Sequence, residues 1–144
     1  MNNQTALLQL FMRESDSCQN RLLSEIELDY SLENGLPFKR WLAEKRQIVE
    51  EDVANTHWIK TCTGGYITEV QFHKDGTLDE YRLFDRFPTS GTWLLEDGIL
   101  HVSINKGDNT YTFAVVGNSA LNIHSAVEHK NREIHSYLKL AQIK

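Results

Sequence analysis

Six histidines are the side chains of this 144-residue chain best suited to metal binding or proton transfer: His57, His73, His101, His124, His129 and His135. Strand alternation predicts that His124 lies opposite or diagonal to His135, on the face turned away from the core. Two such imidazoles could ligate zinc if a carboxylate joined them. Because no H-x-x-x-H or C-x-x-C spacing supplies the other ligands, we interpret these histidines as solvent-facing and expect no metal or cofactor.

Nucleophilic or acid–base catalysis would require an activated cysteine or a carboxylate pair. Cys62 has no activating motif beside it and is expected to be inert. Asp79 and Glu80 are adjacent, so they point to opposite faces of a strand and cannot act as a pair. We interpret them, with Asp85, as solvated surface. The sequence therefore favours a protein without catalytic residues, and a small enzyme is the least favoured alternative.

The aromatic residues of the second half are the most informative set. Tyrosine and tryptophan carry polar groups that need a partner when buried, and a bound ligand can supply one. A core filled by protein groups does the same, so plain packing is the simpler interpretation. The alternative is a ligand site lined by six residues that face the interior together: Trp58, Tyr66, Tyr81, Trp93, Tyr111 and Phe113.

Tight turns predict how strands position these aromatics. Asp97–Gly98 and Gly107–Asp108 are hairpin signals, and a three-residue turn is predicted at Gly117–Ser119. Directly opposed residues share a face of the sheet. Together the three turns place ten residues on one face: Trp93, Leu95, Leu100, Val102, Ile104, Tyr111, Phe113, Val115, Leu121 and Ile123.

The expected fold is mainly β (α+β), with about eight short antiparallel strands over residues 57–144. A meander of this length either curls into a barrel or leaves an exposed edge, so we predict a barrel or half-barrel. The alternative is a cystatin-like or NTF2-like α+β fold, which needs longer strands. The loop from Phe84 to Ser90 could be a portal lid or a partner contact, or its aromatics could plug one end of the barrel.

Residues 1–56 are predicted to be helical and to pack on this sheet within a single domain, 1–144. Helical spacing favours one helix near the amino terminus and a second from Pro37 to Val53. The segment 22–32 has apolar residues at spacings that fit either a helix or a strand. The acidic run Glu50–Asp52 could meet a protein partner, which gives the alternative function of an adaptor or inhibitor.

Four segments carry a family resemblance: Trp58, Val70–Thr77, Ser90–Leu95 and Asp97–Leu100. They show a leading Trp, an F-x-x-D-G-T turn, and a G-x-W strand that runs into a D-G-x-L hairpin. In these features residues 57–140 resemble the small bacterial lipocalin-like domains. The resemblance implies a calycin-type barrel with a tendency to hold a small apolar or amphipathic ligand.

Composition limits the other function classes. The formal net charge of −5 argues against nucleic-acid binding through phosphate neutralisation. The mean hydropathy is −0.45, and no apolar run approaches the roughly 18 residues of a membrane span. The first residues lack the basic region of a signal peptide. Two cysteines without metal or redox spacing, Cys18 and Cys62, fit a reducing cytoplasm.

Overall fold

A computed structural model describes residues 2–82 and 88–143 of the protein. The helical elements are α1 (Asn3–Glu14), three 3₁₀ turns (Asp16–Cys18, Glu25–Glu27, Tyr30–Asn34), α2 (Leu36–Ala43) and α3 (Glu50–Val53). The strands are β1 (Lys45–Arg46), β2 (Thr56–Cys62), β3 (Ile67–Phe72), β4 (Thr77–Arg82), β5 (Thr89–Glu96), β6 (Ile99–Lys106), β7 (Asn109–Val115), β8 (Gly117–Asn118), β9 (Ile123–Lys130) and β10 (Glu133–Gln142). Most of residues 84–90, predicted as a lid or plug, lies outside the described ranges.

The long strands form a closed barrel in the order β10–β2–β3–β4–β5–β6–β7–β9. Every neighbouring pair is antiparallel, and β10 closes the sheet by pairing with both β9 and β2. The expectation of a mainly β barrel with an amino-terminal helix packed on it is confirmed. The cystatin-like or NTF2-like alternative is wrong, because closure leaves no open curved sheet. No helix within the described ranges is both long and apolar enough to cross a bilayer.

Two of the three predicted turns set the register as expected. Asp97 and Gly98 both have positive φ, 50° and 80°, as a two-residue hairpin turn of this type requires. Leu95 consequently lies opposite Leu100. The turn at Gly107–Asp108 likewise sets Val102 opposite Phe113.

The third predicted turn is wrong. Gly117 lies in β8, which pairs with β1, and a Cβ on this glycine would lie 2.8 Å from the carbonyl oxygen of Arg46. The glycine thus permits a close approach between strands and does not form a hairpin tip. Phe113 pairs with Glu128. Leu121 and Ile123, expected in the interior, are 65% and 42% exposed.

The helix expected from Pro37 to Val53 is also interrupted. Helix α2 ends at Ala43, and the Ile48 backbone N–H donates a hydrogen bond to the Gly98 carbonyl at 2.9 Å. The side chains of Ile48 and Val53 are buried in the barrel core. This segment closes one end of the barrel, because its two apolar side chains bury more surface there than on a helix face exposed to water. The ambiguous segment 22–32 forms 3₁₀ turns.

Helix α1 covers the outer face of the barrel with two apolar sides. Leu10 packs with Ile99, Val116 and Val127 of the barrel wall. On the other side Phe11 makes edge contacts with aromatic rings of α2, at centroid distances of 5.2 and 5.6 Å. The helix is therefore held between the barrel and α2.

Glu14, at the end of α1, ties this helical layer to the barrel. Its Oε1 accepts hydrogen bonds from Trp41 Nε1 at 2.8 Å and Lys45 Nζ at 3.1 Å. Its Oε2 accepts one from the Tyr137 hydroxyl at 2.5 Å. Burial by itself raises the pKa of Glu14, but these donors and the Lys45 charge outweigh it and lower the pKa to about 2.

Replacing Glu14 with Gln should remove a pH-dependent part of the stability. The folded-state pKa lies below the ordinary value of 4.5, so the contribution is present above pH 4.5 and is lost as pH falls toward 2. We expect Glu14→Gln to lower the unfolding free energy at pH 7 by up to about 3 kcal/mol. Urea unfolding at pH 7 and pH 3 measures this. The exposed change Glu51→Gln is the matched control, and equal pH dependence in both variants would contradict the role of Glu14.

Candidate functional site

The inward-facing residues of β2 change from apolar to polar along the strand. Alternate side chains of a barrel strand face inward, which places Trp58, Lys60 and Cys62 on the inner side. Trp58 is fully buried, Lys60 is buried, and Cys62 is half-buried. The interior of the barrel therefore has an apolar end and a polar end.

The apolar end is filled by protein side chains. The Trp58 ring makes an edge contact with Phe72 at 5.7 Å and lies 5.4 Å from the His124 ring. Ile48 and Val53 belong to the same buried cluster. This end of the barrel is packed core.

The polar end contains a buried network of charges around Lys60. The Lys60 ammonium nitrogen lies 2.5 Å from Glu80 Oε2 and 3.4 Å from Glu128 Oε2. Lys106 Nζ lies 2.8 Å from the other oxygen of Glu80. On the far side, His135 Nδ1 lies 2.9 Å from Glu128 Oε1. Each buried carboxylate is therefore held between two groups that carry or can carry positive charge.

Glu80 is the most deeply buried member, with 1% of its surface exposed. Burial alone raises the pKa of this carboxyl, but the neighbouring Lys60 and Lys106 outweigh burial and hold the pKa below its usual range. The Thr68 hydroxyl donates a further hydrogen bond to Glu80 Oε2 at 2.9 Å. Glu80 is therefore ionised at neutral pH.

A cavity of about 310 Å³ opens above this network. Tyr66, Tyr111 and Leu138 contribute apolar walls, and Lys106, Glu128 and His135 contribute polar groups. A β-bulge between Ile134 and Ser136 breaks the pairing of β10 at His135. Bulges of this kind redirect a side chain, here toward Glu128.

Tyr111 is surrounded by positively charged or titratable nitrogen groups. The ammonium groups of Lys106 and Lys130 lie 5.2 and 5.8 Å from the ring centroid. The His135 ring makes an edge contact at 5.6 Å. Tyr66 has a similar neighbour, since the Arg82 guanidinium lies 5.3 Å from its ring. Both tyrosines at the cavity therefore present an aromatic face beside a cation.

The structure places the six predicted aromatics in four different settings. Tyr66 and Tyr111 line the cavity. Trp58 and Phe113 are buried in the core, where the Lys60 ammonium lies 5.1 Å from the Phe113 ring. Trp93 packs against Phe72 and donates a hydrogen bond from Nε1 to the His73 carbonyl. Their role in ligand binding stays a prediction.

Tyr81 does not face the interior, contrary to expectation. It lies between the inward-facing Glu80 and Arg82 in β4, so alternation turns its side chain outward. It lies opposite Glu69 of β3. Burial and the charge of Glu69 raise the pKa of the Tyr81 hydroxyl. The error came from treating an aromatic side chain as a marker of the inner face.

The predicted arrangement of the histidines is wrong for His124. This side chain is fully buried inside the barrel, and its Nδ1 accepts a hydrogen bond from the Asn118 backbone N–H at 2.9 Å. Burial, then the nearby Arg46 charge, lowers its pKa to about 4, so it is neutral. It lies opposite Leu140, not His135. Residues 2–82 and 88–143 contain no cluster of three or more His, Cys, Asp and Glu that could hold a metal.

The charged network was missed because Glu80 was interpreted as solvated surface. That interpretation is wrong, although Asp79 and Glu80 do point to opposite faces as predicted: Asp79 faces outward and lies 3.0 Å from His73. A signal was available in the alternation itself. Lys60 follows the inward-facing Trp58 by two positions, and Glu80 follows Leu78 by two.

Elsewhere, Asp52 of the acidic run is bonded to Arg46, while Glu50 and Glu51 are exposed.

No protein-family model, curated protein or solved structure matches this chain.

The buried network should behave as one strongly coupled unit. Removing one partner of a buried pair leaves an uncompensated charge, so Lys60→Met and Glu80→Gln should each cost about 3 kcal/mol of unfolding free energy. The double variant should cost about 4 kcal/mol, less than the sum of about 6 kcal/mol, which corresponds to a coupling energy of about 2 kcal/mol. Urea unfolding of the unaltered protein, the two single variants and the double variant at pH 7 measures these free energies.

The exposed pair His73–Asp79 provides the control cycle. Its members lie on the outer face of the same hairpin, so His73→Gln and Asp79→Asn should couple by less than about 1 kcal/mol. Additive effects of Lys60→Met and Glu80→Gln would show that the two side chains do not act together in the folded protein.

Proposed function

We propose that this protein is a lipocalin-like, non-enzymatic binding protein that takes one small amphipathic molecule into the open end of its barrel. The observation that carries the proposal is the cavity of about 310 Å³ above the Lys60 network. Eight-stranded barrels are just large enough to hold one small ligand. The volume lies at the lower end of the range for ligand pockets, which favours a small molecule.

The composition of the cavity supports an amphipathic ligand. Tyr66, Tyr111 and Leu138 offer apolar surface to the body of the ligand, while Lys106 and His135 offer hydrogen-bond donors. Ligand sites typically combine such apolar walls with a few placed polar groups. The opposite charges around Lys60 hold those polar groups in position before a ligand arrives, which lowers the cost of binding.

We also propose the cytoplasm as the compartment in which the protein works. Both Cys18 and Cys62 are free thiols, and Cys62 lines the cavity. A half-buried thiol at a binding site would be prone to oxidation in an oxidising compartment.

The direct test is calorimetric titration with naphthalene-sized probes of three charges: 2-naphthoate, 2-naphthalenemethanol and 2-naphthylmethylamine. We expect saturable binding of at least one of the three probes, at one site per chain. Bound probe should also slow the alkylation of Cys62 and leave that of the buried Cys18 unchanged. Failure of all three probes to bind up to millimolar concentration would overturn the proposal.

Replacing Tyr66 with Ala should weaken probe binding without unfolding the protein. The Tyr66 side chain is 61% exposed, so its loss costs little packing energy. Loss of an aromatic contact should weaken binding roughly three- to tenfold. Tyr81→Ala is the matched control, because Tyr81 lies in β4 and its side chain faces away from the cavity. Equal affinities of the two variants would place the probe elsewhere on the protein.

A further inference from the structure

Resting on the proposed function, we infer that the ligand carries an anionic group, which Lys106 receives in the cavity and which Lys130 attracts from beside the same Tyr111 ring. The class that fits is a small carboxylate with an aromatic or short aliphatic body. Two ammonium groups, those of Lys106 and Lys130, lie near the Tyr111 ring, while the carboxylates of Glu80 and Glu128 are buried beside Lys60.

Among the described residues, the buried network holds two ammonium groups and two carboxylates, and Lys130 adds a third ammonium group beside it. Three ammonium groups, those of Lys60, Lys106 and Lys130, lie near the rings of Phe113 and Tyr111. Within residues 2–82 and 88–143, the carboxylates within 4 Å of these ammonium groups are Glu80 and Glu128.

The ammonium group that a ligand in the cavity can reach is that of Lys106, which lines the cavity with a partly exposed side chain. Glu80 is buried and shared between Lys60 and Lys106, and Glu128 is buried beside Lys60. Lys130 does not line the cavity, but its ammonium lies near the same Tyr111 ring as that of Lys106. Glu133 of β10 lies directly opposite Lys130 in the strand register, without an ion pair within 4 Å between them. Both ammonium groups add positive potential beside this ring, which favours an anion in the cavity.

A cationic ligand does not fit this arrangement. Glu80 does not line the cavity, and Lys106, which does, lies 2.8 Å from Glu80 Oε1 and has a side chain that is 37% exposed. Glu128 lines the cavity, and its Oε2 lies 3.4 Å from the Lys60 ammonium. The positive charge of Lys106 and Lys130 near Tyr111 is local, since the whole chain carries a formal net charge of −5. Local charge of one sign in a cleft attracts ligands of the opposite sign.

The ring of Tyr111 defines where the apolar body of the ligand lies. Lys106 and Lys130 flank this ring, while Tyr66 and Leu138 form other walls of the same cavity. A carboxylate bound by Lys106 would leave the apolar part of the ligand against these side chains. The volume of about 310 Å³ restricts that part to roughly the size of one or two fused rings.

The test compares probes that differ in charge and share one ring system. We expect 2-naphthoate to bind at least about tenfold more tightly than 2-naphthalenemethanol, and 2-naphthylmethylamine to bind more weakly than the alcohol. The preference for naphthoate should shrink in high salt, because exposed charges are screened. Calorimetric titrations at 20 mM and 500 mM NaCl measure both effects.

Variants then assign the preference to the two lysines. Lys106→Met should reduce the naphthoate-to-alcohol ratio about tenfold, and Lys130→Met should reduce it in the same direction. Lys130 has no buried carboxylate partner among the described residues, so its replacement keeps the test valid if Lys106→Met folds poorly. Lys74→Met removes the same charge from the exposed turn between β3 and β4, at the opposite end of the barrel, and should leave the ratio unchanged.

The outcomes separate this inference from the proposed function. Equal binding of naphthoate and alcohol, with no effect of Lys106→Met or Lys130→Met, would overturn the anionic ligand and leave a barrel that binds amphipathic molecules. Tighter binding of the amine than of naphthoate would also overturn it. If no probe binds to the unaltered protein, the proposed function itself fails.

Discussion

Closure of the sheet between β10 and β2 is the constraint on which the candidate site depends. This pairing sets Leu138 opposite Cys62 and Leu140 opposite Lys60. It removes the free edges of the sheet and turns one face into an interior. On an open sheet Lys60 and Glu80 would lie in water, where an ion pair contributes little. Inside the barrel the same charges are desolvated, so they must be arranged with opposite partners.

The two ends of the barrel differ because the amino-terminal segment closes one of them. Ile48 and Val53 enter the core beside Trp58, so that end is packed. Glu14 holds α1 to Tyr137 of β10, the strand that also closes the barrel. The helical layer and the cavity are therefore linked through one strand. A change that loosens the layer acts on the pairing that shapes the cavity.

Local turn chemistry predicted much of the fold, and long-range contacts account for most errors. The register at Asp97–Gly98 followed from the turn itself, because only a few residue types accept its backbone conformation. The turn predicted at Gly117 was wrong because this glycine has another role. Its lack of a side chain allows the backbone to approach Arg46, which lies 71 positions earlier in the chain. Of the six aromatics expected in a ligand site, Tyr66 and Tyr111 line the cavity. Charged residues usually lie on the surface of a protein, and this preference argued against a buried network. Only strict strand alternation would have placed Lys60 and Glu80 inside the barrel.

The buried carboxylates explain how this protein can hold ammonium groups inside its barrel. Glu80 and Glu128 permit Lys60 to be buried, because an unpaired ammonium in the interior would be costly. Both carboxylates lie close to Lys60, and Glu80 is shared between Lys60 and Lys106. The positive charges of Lys106 and Lys130 near Tyr111 are therefore only partly compensated by these two carboxylates. Selectivity for an anion would then arise from the balance of the whole network and not from a single residue. A substitution that neutralises Glu80 should shift this balance further toward positive charge, and so strengthen anion binding while weakening the fold.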